Sequence, residues 1–427
     1  MAAWRPRTCK LGGPARKDSD GGNMRNYLHL LIVIGSLGAG PVCAAEGETP
    51  RGNFGGLDHV FLIIMENQSD TYLIGNPNAP FINAYRQAAN QAVNYFAVGH
   101  PSLPNYLEIV GGSNFGVDGD YPPAWLNGGC IDNAPGSADC RKAVPPIAAS
   151  GNDNTVVATA SDSSQCNGQI RVPEAAAPEP NNCALHDYAA TTFTPKTIAD
   201  QLVAKAKSWK AYEESLPSVQ PGLAGVNYSD GAFSNLSPSS AFAAGPIQKL
   251  YAVKHNPFVY FRAVQLGEEP QLSLDRVKDF DGPFGLWADL QSGSSPNFSF
   301  IVPNQCNDMH GWVTGAPAIC STQAGKPLLI AAGDAEIRKI VTGIKASASW
   351  KQGRNAIVLV WDENDFSNAA NRVVMLVETN YAPNGRTDTQ FYDHFSLLRT
   401  LEAGFGLPCL NHACDPTSKV MDAMFGG

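Results

Sequence analysis

The feature that most constrains this chain is a pair of apolar runs that each end directly in polar residues. Residues 59–65 lead into Glu66 and Asn67, and residues 357–361 lead into Asp362 and Glu363. Short, continuous apolar runs with polar boundaries are typical of strands buried on both faces of a sheet. Open α/β sheets bind their ligands outside the carboxyl ends of their strands, so we expect these polar residues at a functional site.

The rest of the chain alternates between helical and strand-like patterns. Helical spacing occurs in residues 81–92, 335–347, 395–405 and the first part of 197–215, and strand-like runs occur at 156–160, 258–261, 297–302, 373–377 and the last part of 197–215. Such alternation is typical of a parallel sheet covered by helices on both faces. The predicted fold class is therefore α/β, a three-layer α/β/α sandwich with a mainly parallel central sheet.

Residues 1–45 are predicted to be a leader that contains a signal peptide from Met24 to Ala45. An apolar core at residues 28–37 precedes the small residues that end this segment. The core is too short to cross a bilayer comfortably, which favours cleavage over the alternative of a retained membrane anchor. The prediction is a periplasmic or secreted protein with no stable membrane span after cleavage, in which residues 46–427 form one domain.

Eight of the ten cysteines lie beyond this leader, and an even number in an exported chain favours disulfides. The absence of a Cys-x-x-Cys pair argues against the alternative of a structural zinc site. Short separations favour pairing of consecutive cysteines: Cys130–Cys140, Cys166–Cys183, Cys306–Cys320 and Cys409–Cys414. The first two pairs would pin a long excursion at about 113–190, which is rich in glycine, proline, asparagine, aspartate and alanine.

The charge balance limits the class of partner. The chain has 39 acidic and 30 basic residues, and removal of residues 1–45 would take away more basic than acidic ones. An acidic protein is a poor general binder of nucleic acid or of an anionic membrane surface. Nucleic acid is therefore not an expected partner, whereas a phosphate group bound through a local metal charge remains compatible.

Seven segments together resemble one known family. They are Val60–Asn67, His100–Tyr106, Ala206–Tyr212, Lys254–Phe258, Asn304–His310, Ile357–Asn364 and Tyr392–Thr400. In this order they are similar to the bacterial and fungal phosphoesterase family of acid phosphatases and phospholipases C, within the alkaline phosphatase superfamily. The resemblance covers about residues 57 to 410 and implies an alkaline phosphatase-like sandwich.

The resemblance implies that Ser102 is a catalytic nucleophile. In the wider superfamily the attacking serine or threonine precedes an x-Pro-Asn step, as Ser102 precedes Leu103, Pro104 and Asn105 here. A serine hydroxyl is a weak nucleophile until a base or a metal activates it. The alternative from the residues alone is a helix N-cap serine, and the two roles are compatible because a helix N-terminus also favours phosphate.

The remaining candidates are acidic residues and histidines. We expect one or two divalent metal ions, of unknown identity, held by Glu66, Asn67, Asp308, Asp362 and Glu363, because carboxylate and amide oxygens suit such ions. The local alternative is a set of solvated turn residues. His310 and His394 are predicted catalytic residues that bind phosphate, complete a metal site or protonate the leaving oxygen. Asn105, His255 and His100 are the expected substrate-binding residues.

Three functions fit these residues. The first is a secreted, metal-dependent phosphoesterase of the acid phosphatase type, which hydrolyses phosphate monoesters through a phosphoserine intermediate. The second is a phospholipase C or phosphodiesterase that acts on phospholipid head groups. The third is a non-enzymatic binding protein on the same fold. The expected partner is a small phosphate ester, with a phospholipid as the alternative, and the shape of the pocket decides between the first two functions.

Overall fold

A computed structural model describes most of the chain beyond residue 46. The described residues are 47–115, 170–171, 185–186, 196–216, 236–237, 248–261, 263–264, 267, 269–311, 316–322, 326–367 and 370–427. The predicted leader (1–45), nearly all of the 113–190 excursion, the predicted strand at 156–160 and the Cys130–Cys140 and Cys166–Cys183 pairs lie outside these residues. No helix among the described residues has the length and apolarity needed to span a membrane.

Within the described part of the chain, eight strands form the central sheet. They are β1 (His59–Met65), β2 (Asn90–Ala92), β3 (Trp209–Glu213), β4 (Val277–Lys278), β5 (Phe298–Val302), β6 (Asn355–Trp361), β7 (Met375–Thr379) and β8 (Thr387–Asp388). Their order is β8-β2-β7-β6-β1-β5-β3-β4. Only β7 runs against its neighbours in this sheet, β6 and β2, so the sheet is mainly parallel.

Helices cover this sheet in two groups. The α-helices are α1 (Asp70–Leu73), α2 (Pro80–Ala88), α3 (Ser102–Gly111), α4 (Ile198–Ala204), α5 (Leu286–Ser292), α6 (Lys326–Ala346), α7 (Ala348–Lys351) and α8 (His394–Phe405). Helices α3, α4 and α8 pack on one another, and α2, α5 and α7 each pack on α6. The predicted α/β sandwich with a mainly parallel sheet is confirmed.

Shorter elements complete the described chain. The 3₁₀ helices are Val253–His255, Pro257–Tyr260, Leu274–Arg276, Ala318–Cys320, Asn411–Cys414 and Asp422–Phe425. Two-residue strand pairs join Tyr95–Phe96 with Tyr392–Asp393, Ile170–Arg171 with Leu185–His186, and Leu236–Ser237 with Gln248–Lys249. The predicted disulfides Cys306–Cys320 and Cys409–Cys414 are both present.

Two predictions of secondary structure were wrong in part. The run at 258–261 is not a strand but lies mostly in the 3₁₀ helix Pro257–Tyr260. Proline at the first position fixes a helical φ and supplies no N–H for a ladder, and full burial makes every position of the run apolar. The helix predicted over 81–92 ends at Ala88, and Asn90–Ala92 instead pairs with β7 and β8.

The central strands owe their position to burial. Every residue of β5 and β6 and all of β1 beyond His59 is buried, and each large aliphatic side chain contributes roughly 1.5–3 kcal/mol by leaving water. In the parallel register Met65 lies opposite Trp361, and Ile63 lies opposite Ile301. The residues that follow β1, β5 and β6 therefore emerge at the same edge of the sheet.

The end of α3 offers a test of how this helix is held. Gly112 follows α3 with φ +68°, and a Cβ there would lie 2.5 Å from the Leu410 carbonyl oxygen. Gly406 follows α8 with φ +66°, and a Cβ there would meet no atom within 4 Å. We expect Gly406→Ala to cost about 1 kcal/mol of unfolding free energy from backbone strain alone, and Gly112→Ala to cost clearly more.

The measurement is the urea midpoint of unfolding for the two variants beside the parent chain. Gly406→Ala is the matched control, since it imposes the same left-handed conformation without the backbone contact. Equal shifts in the two variants would show that the contact with Leu410 does not constrain α3.

Candidate active site

Three loops that follow neighbouring parallel strands meet at one buried edge of the sheet. Glu66 follows β1, Asp308 lies in the loop after β5, and Asp362 with Glu363 follows β6, and all four carboxyl side chains are buried. The backbone joins these loops: Glu66 N donates to Asp308 O at 2.9 Å, and Asp362 N donates to Met65 O at 2.9 Å. The predicted meeting of the acidic segments is therefore present in the structure.

Ser102 lies against this acidic edge as the first residue of α3. Its hydroxyl has two acceptors, Glu66 Oε2 at 3.0 Å and Glu363 Oε1 at 3.1 Å. It also accepts a hydrogen bond from Lys254 Nζ at 3.3 Å. The positive end of the α3 dipole adds to the ammonium charge, and both favour negative charge on the serine oxygen or on a phosphate beside it.

Asn105 holds the turn before α3 rather than facing a ligand. Its Oδ1 accepts from the backbone N–H groups of Val98 and Gly99, each at 3.1 Å. Its Nδ2 donates to Gly99 O at 2.9 Å and Pro101 O at 3.2 Å. All four hydrogen bonds close within its own loop, so the structure favours a positioning role over the predicted substrate contact.

His255 is enclosed by two carboxylates. Its Nε2 lies 3.0 Å from Glu66 Oε1, its Nδ1 lies 3.3 Å from Asp308 Oδ2, and its ring stacks on Tyr106 with centroids 5.3 Å apart. Burial alone would lower the pKa of the imidazole, but Glu66 and the hydrogen bonds to Asp308 and Glu66 raise the pKa to about 9. Both ring nitrogens face a carboxylate oxygen, which favours the protonated ring; as a metal ligand, His255 would first have to release a proton.

His310 and Lys254 form a second polar pair beside the serine. His310 Nδ1 lies 2.6 Å from the Gly311 carbonyl, which can only accept, so this nitrogen carries the proton. Its Nε2 then accepts from Lys254 Nζ at 3.2 Å. Burial, followed by the Lys254 ammonium, lowers the pKa of His310 to about 4, which keeps the ring neutral.

His100 and Asp308 orient charged neighbours. His100 Nδ1 forms a buried ion pair with Glu363 Oε2, on the side of the carboxylate away from its bond to Ser102. Asp308 pairs with His255 and accepts the backbone N–H of His310 at 2.6 Å. Burial raises the pKa of Asp308 to about 6, against the opposing effect of His255.

His394 lies behind the acidic edge. Its Nε2 lies 2.6 Å from the Asp362 carbonyl oxygen, and its Nδ1 lies 2.9 Å from the Tyr95 hydroxyl. Burial lowers its pKa to about 4, so the neutral ring donates to the carbonyl and accepts from the tyrosine. Both nitrogens are thus engaged away from Ser102, and the geometry favours positioning of Asp362 over the predicted catalytic contact.

Two groups of side chains have the spacing of a metal site. Glu66, Asp362 and Glu363 form one group, and Glu66, His255 and His310 form the other, with ligand atoms in each group within 4.8 Å of one another. Asp362 Oδ1 accepts from the Asn67 backbone, whereas its buried Oδ2 has no hydrogen-bond partner in the described part of the chain. Oxygen and imidazole atoms of this kind suit a divalent cation.

The electrostatics of the acidic group also fit a cation. Burial, and then the neighbouring Glu66 and Glu363 carboxylates, raise the pKa of Asp362 well above its ordinary value. Burial would do the same to Glu66, but His255, Lys254 and His310 hold its pKa well below the ordinary range. Adjacent buried carboxylates are costly without a compensating charge, which a bound divalent ion supplies.

Asn67 enters the site differently from the prediction. Its backbone N–H donates to Asp362 Oδ1 at 3.2 Å, its φ is +51°, and its side chain is only partly buried. Asparagine tolerates this left-handed conformation better than most residues. The contact seen is therefore made by the backbone, and a role for the amide oxygen at a metal remains a prediction.

Sequence reasoning missed Lys254, Tyr95 and Tyr106 as site residues. Lys254 is 6% exposed, and a lysine is almost never so deeply buried unless it is paired. The signal was present, because Lys254 opens one of the matched segments, but the sequence gave no sign that it reaches the serine. Tyr95 and Tyr106 were missed because the sequence does not distinguish a tyrosine at a functional site from a tyrosine in the hydrophobic core.

Comparison with known proteins supports the resemblance. A model of the Phosphoesterase family matches residues 75–408. The phosphatidylinositol-3-phosphatase of Mycobacterium tuberculosis is 24% identical over 390 residues, which are 90% of this chain and 90% of that protein. The phosphate-repressible acid phosphatase of Penicillium chrysogenum is 26% identical over 320 residues, which are 74% of this chain but 52% of the fungal protein.

Among solved structures, a protein of the alkaline phosphatase superfamily from Vibrio parahaemolyticus aligns with 87% of this chain and 72% of its own, at 13% identity and a TM-score of 0.43. No conclusion is based on a similarity of that size. The family match covers most of the chain, and the predicted enzyme class, a hydrolase of phosphoric ester bonds, is confirmed. The chain belongs to the phosphoesterase family.

Proposed function

We propose that this chain is an exported, metal-dependent phosphomonoesterase that uses Ser102 as its nucleophile. One observation carries the proposal: the Ser102 hydroxyl, at the N-terminus of α3, contacts Glu66, Glu363 and Lys254 beside two groups of potential metal ligands. A nucleophile, proton acceptors and a source of positive charge are the parts that phosphoryl transfer requires.

The substrate phosphate would bind where positive charge surrounds the serine oxygen. Lys254 Nζ and the N–H groups at the start of α3 lie beside the serine oxygen, and the His255 ring lies against Glu66. These charges and dipoles are already oriented, so they cost no reorganisation as charge develops on the phosphoryl oxygens. A divalent ion held by Glu66, Asp362 and Glu363 would lower the pKa of the serine hydroxyl and neutralise phosphate charge.

The reaction would proceed in two displacements. In the first, the serine proton passes to a carboxylate oxygen within 3.1 Å, the bond from Oγ to phosphorus forms, and the bond from phosphorus to the leaving oxygen breaks. Lys254, which contacts both Ser102 Oγ and His310 Nε2, is placed to donate a proton to the leaving oxygen. In the second, water attacks the phosphoserine and gives a proton to the Lys254 amine, the bond from phosphorus to Oγ breaks as phosphate leaves, and Oγ takes back the proton held by the carboxylate.

The names of the relatives favour a monoester. Two relatives are named a phosphatidylinositol-3-phosphatase and an acid phosphatase, and they align with 90% and 74% of this chain. Two disulfides among the described residues support an oxidising compartment, as proposed for a periplasmic or secreted protein.

The first test is removal of the nucleophile. Ser102→Ala should lower kcat for an aryl phosphate monoester by at least about a thousandfold, because it removes the hydroxyl that is proposed to attack phosphorus. Ser299→Ala is the control, since Ser299 is a buried serine of β5 whose hydroxyl has no hydrogen-bond partner in the described region. Unchanged turnover in Ser102→Ala, or a parent that cleaves the diester and not the monoester, would contradict the proposal.

The second test concerns the metal. A chelator should abolish monoester hydrolysis, and Glu363→Gln should lower the metal content measured by elemental analysis of the purified protein, because a carboxylate is a far better ligand than an amide. Glu402→Gln is the matched control: Glu402 is another buried carboxyl, in α8, and its Oε1 accepts the Leu410 N–H, away from the acidic edge. Full activity in metal-free protein would refute metal dependence.

The third test concerns the lysine that the sequence did not reveal. Lys254→Met keeps the length of the side chain but removes the ammonium, so we expect kcat to fall by about a hundredfold while metal content stays unchanged. Lys210→Met serves as the control. Lys210 lies on β3, next to the edge strand β4, and forms its ion pair with Asp289 of α5. A fall in metal content without a fall in activity per bound metal would contradict a direct role for Lys254.

A further inference from the structure

The exposed aromatic residue Phe366 stacks on His100, one of the histidines of the site. The Phe366 ring stacks on the His100 ring with centroids 3.9 Å apart and planes 21° apart. His100 is buried and forms the ion pair with Glu363, which in turn contacts Ser102. Phe366 nevertheless remains 54% exposed, so one face of its ring covers the site while the other faces solvent.

The backbone of Phe366 is strained. Its φ is +59°, a left-handed conformation that bulky side chains rarely adopt and that costs about 1–2 kcal/mol. The Asn364 side chain fixes the turn, because its Oδ1 accepts the Phe366 N–H at 2.7 Å. Glycine or asparagine would relieve the strain at this position. The exposed part of the phenyl ring contributes no hydrophobic stabilisation that would offset the strain.

Neighbouring residues tie this turn to the loop that carries the nucleophile. Asn364 N donates to Asn371 Oδ1 at 2.8 Å, and Asn371 Nδ2 donates to Gly99 O at 2.7 Å. Gly99 immediately precedes His100, so one hydrogen-bonded network joins the backbone segments that carry the two stacked residues, His100 and Phe366. The backbone on both sides of the stack is therefore held, and the stack with His100 is the contact that orients the ring.

A second exposed aromatic residue, Tyr72, is connected to the loop that carries Phe366. Asp365, next to Phe366, forms an ion pair with Lys326, and Lys326 Nζ lies 4.1 Å from the centroid of the Tyr72 ring. Tyr72 is 41% exposed and belongs to α1, which follows the Glu66-Asn67 loop. These contacts link Tyr72, which follows the Glu66-Asn67 loop, to the loop that carries Glu363 and Phe366.

We propose that the outer face of Phe366 binds the leaving group of the substrate and makes the enzyme selective for phosphate esters of planar, aromatic alcohols. The inference rests on the proposed phosphomonoesterase function and deepens it. A planar group stacked on Phe366 extends the existing stack with His100 by one further ring, and such contacts reach full strength when both rings have fixed orientations. On this proposal, the left-handed backbone of Phe366 is tolerated because that conformation puts the phenyl ring over His100.

The test compares two substrates and two inhibitors. Phenyl phosphate and ethyl phosphate share the reacting group, and phenylphosphonate and methylphosphonate report binding without turnover. In Phe366→Gly we expect kcat/KM for phenyl phosphate to fall about tenfold relative to that for ethyl phosphate, and the inhibition constant of phenylphosphonate to rise by a similar factor. Phe366→Leu should lose most of the same preference, since it keeps an apolar side chain without a flat face.

Phe284→Ala is the matched control. Phe284 is the most exposed of the large hydrophobic residues described, at 64%, and it contacts Lys278 of the edge strand β4. Its removal should leave the ratio between the two substrates unchanged.

The outcomes separate this inference from the proposed function. In Phe366→Gly, an equal fall for both substrates would mean that the ring only supports His100, and no fall for either would mean that the leaving group lies elsewhere; each result overturns the inference and leaves a phosphomonoesterase. A parent that turns over neither ester, yet binds phenylphosphonate more tightly than methylphosphonate through Phe366, would overturn the proposed function and support the aromatic subsite.

Discussion

The burial of carboxylates at the ends of three adjacent parallel strands is the constraint on which the rest of this structure depends. Glu66, Asp308, Asp362 and Glu363 leave water together, and each buried charge costs several kcal/mol unless it is paired and hydrogen-bonded. The protein supplies part of the compensation through His255, which bridges two of them. The negative charge that His255 does not compensate favours binding of a divalent cation. A bound cation would in turn favour a phosphate ester.

The surrounding fold serves to hold these charges in a single arrangement. The register of β1, β5 and β6 brings the loops together, the backbone joins one loop to the next, and His394 fixes the carbonyl of Asp362. Asn105 does the same for the turn before the nucleophile by closing four hydrogen bonds within it. A site in which the orienting groups are themselves rigid costs little to organise when charge develops.

Much of this arrangement was predictable from sequence, for physical reasons that also explain the failures. The runs at 59–65 and 357–361 predicted central strands because short apolar runs with polar boundaries are typical of strands buried on both faces of a sheet. The run at 258–261 was misread, since burial makes a 3₁₀ helix as apolar as a strand. Lys254 escaped notice because its depth depends on contacts with residues more than fifty positions away, and no local pattern records such contacts.

The central claim is that Ser102 forms a covalent bond to phosphorus, and the stereochemical course of the reaction tests it most directly. The enzyme would transfer a phosphoryl group, made chiral with oxygen isotopes, from an aryl ester to an acceptor alcohol. Each in-line displacement inverts phosphorus, so two displacements through a phosphoserine predict net retention. Net inversion would show a single direct attack, and would contradict the role assigned to Ser102.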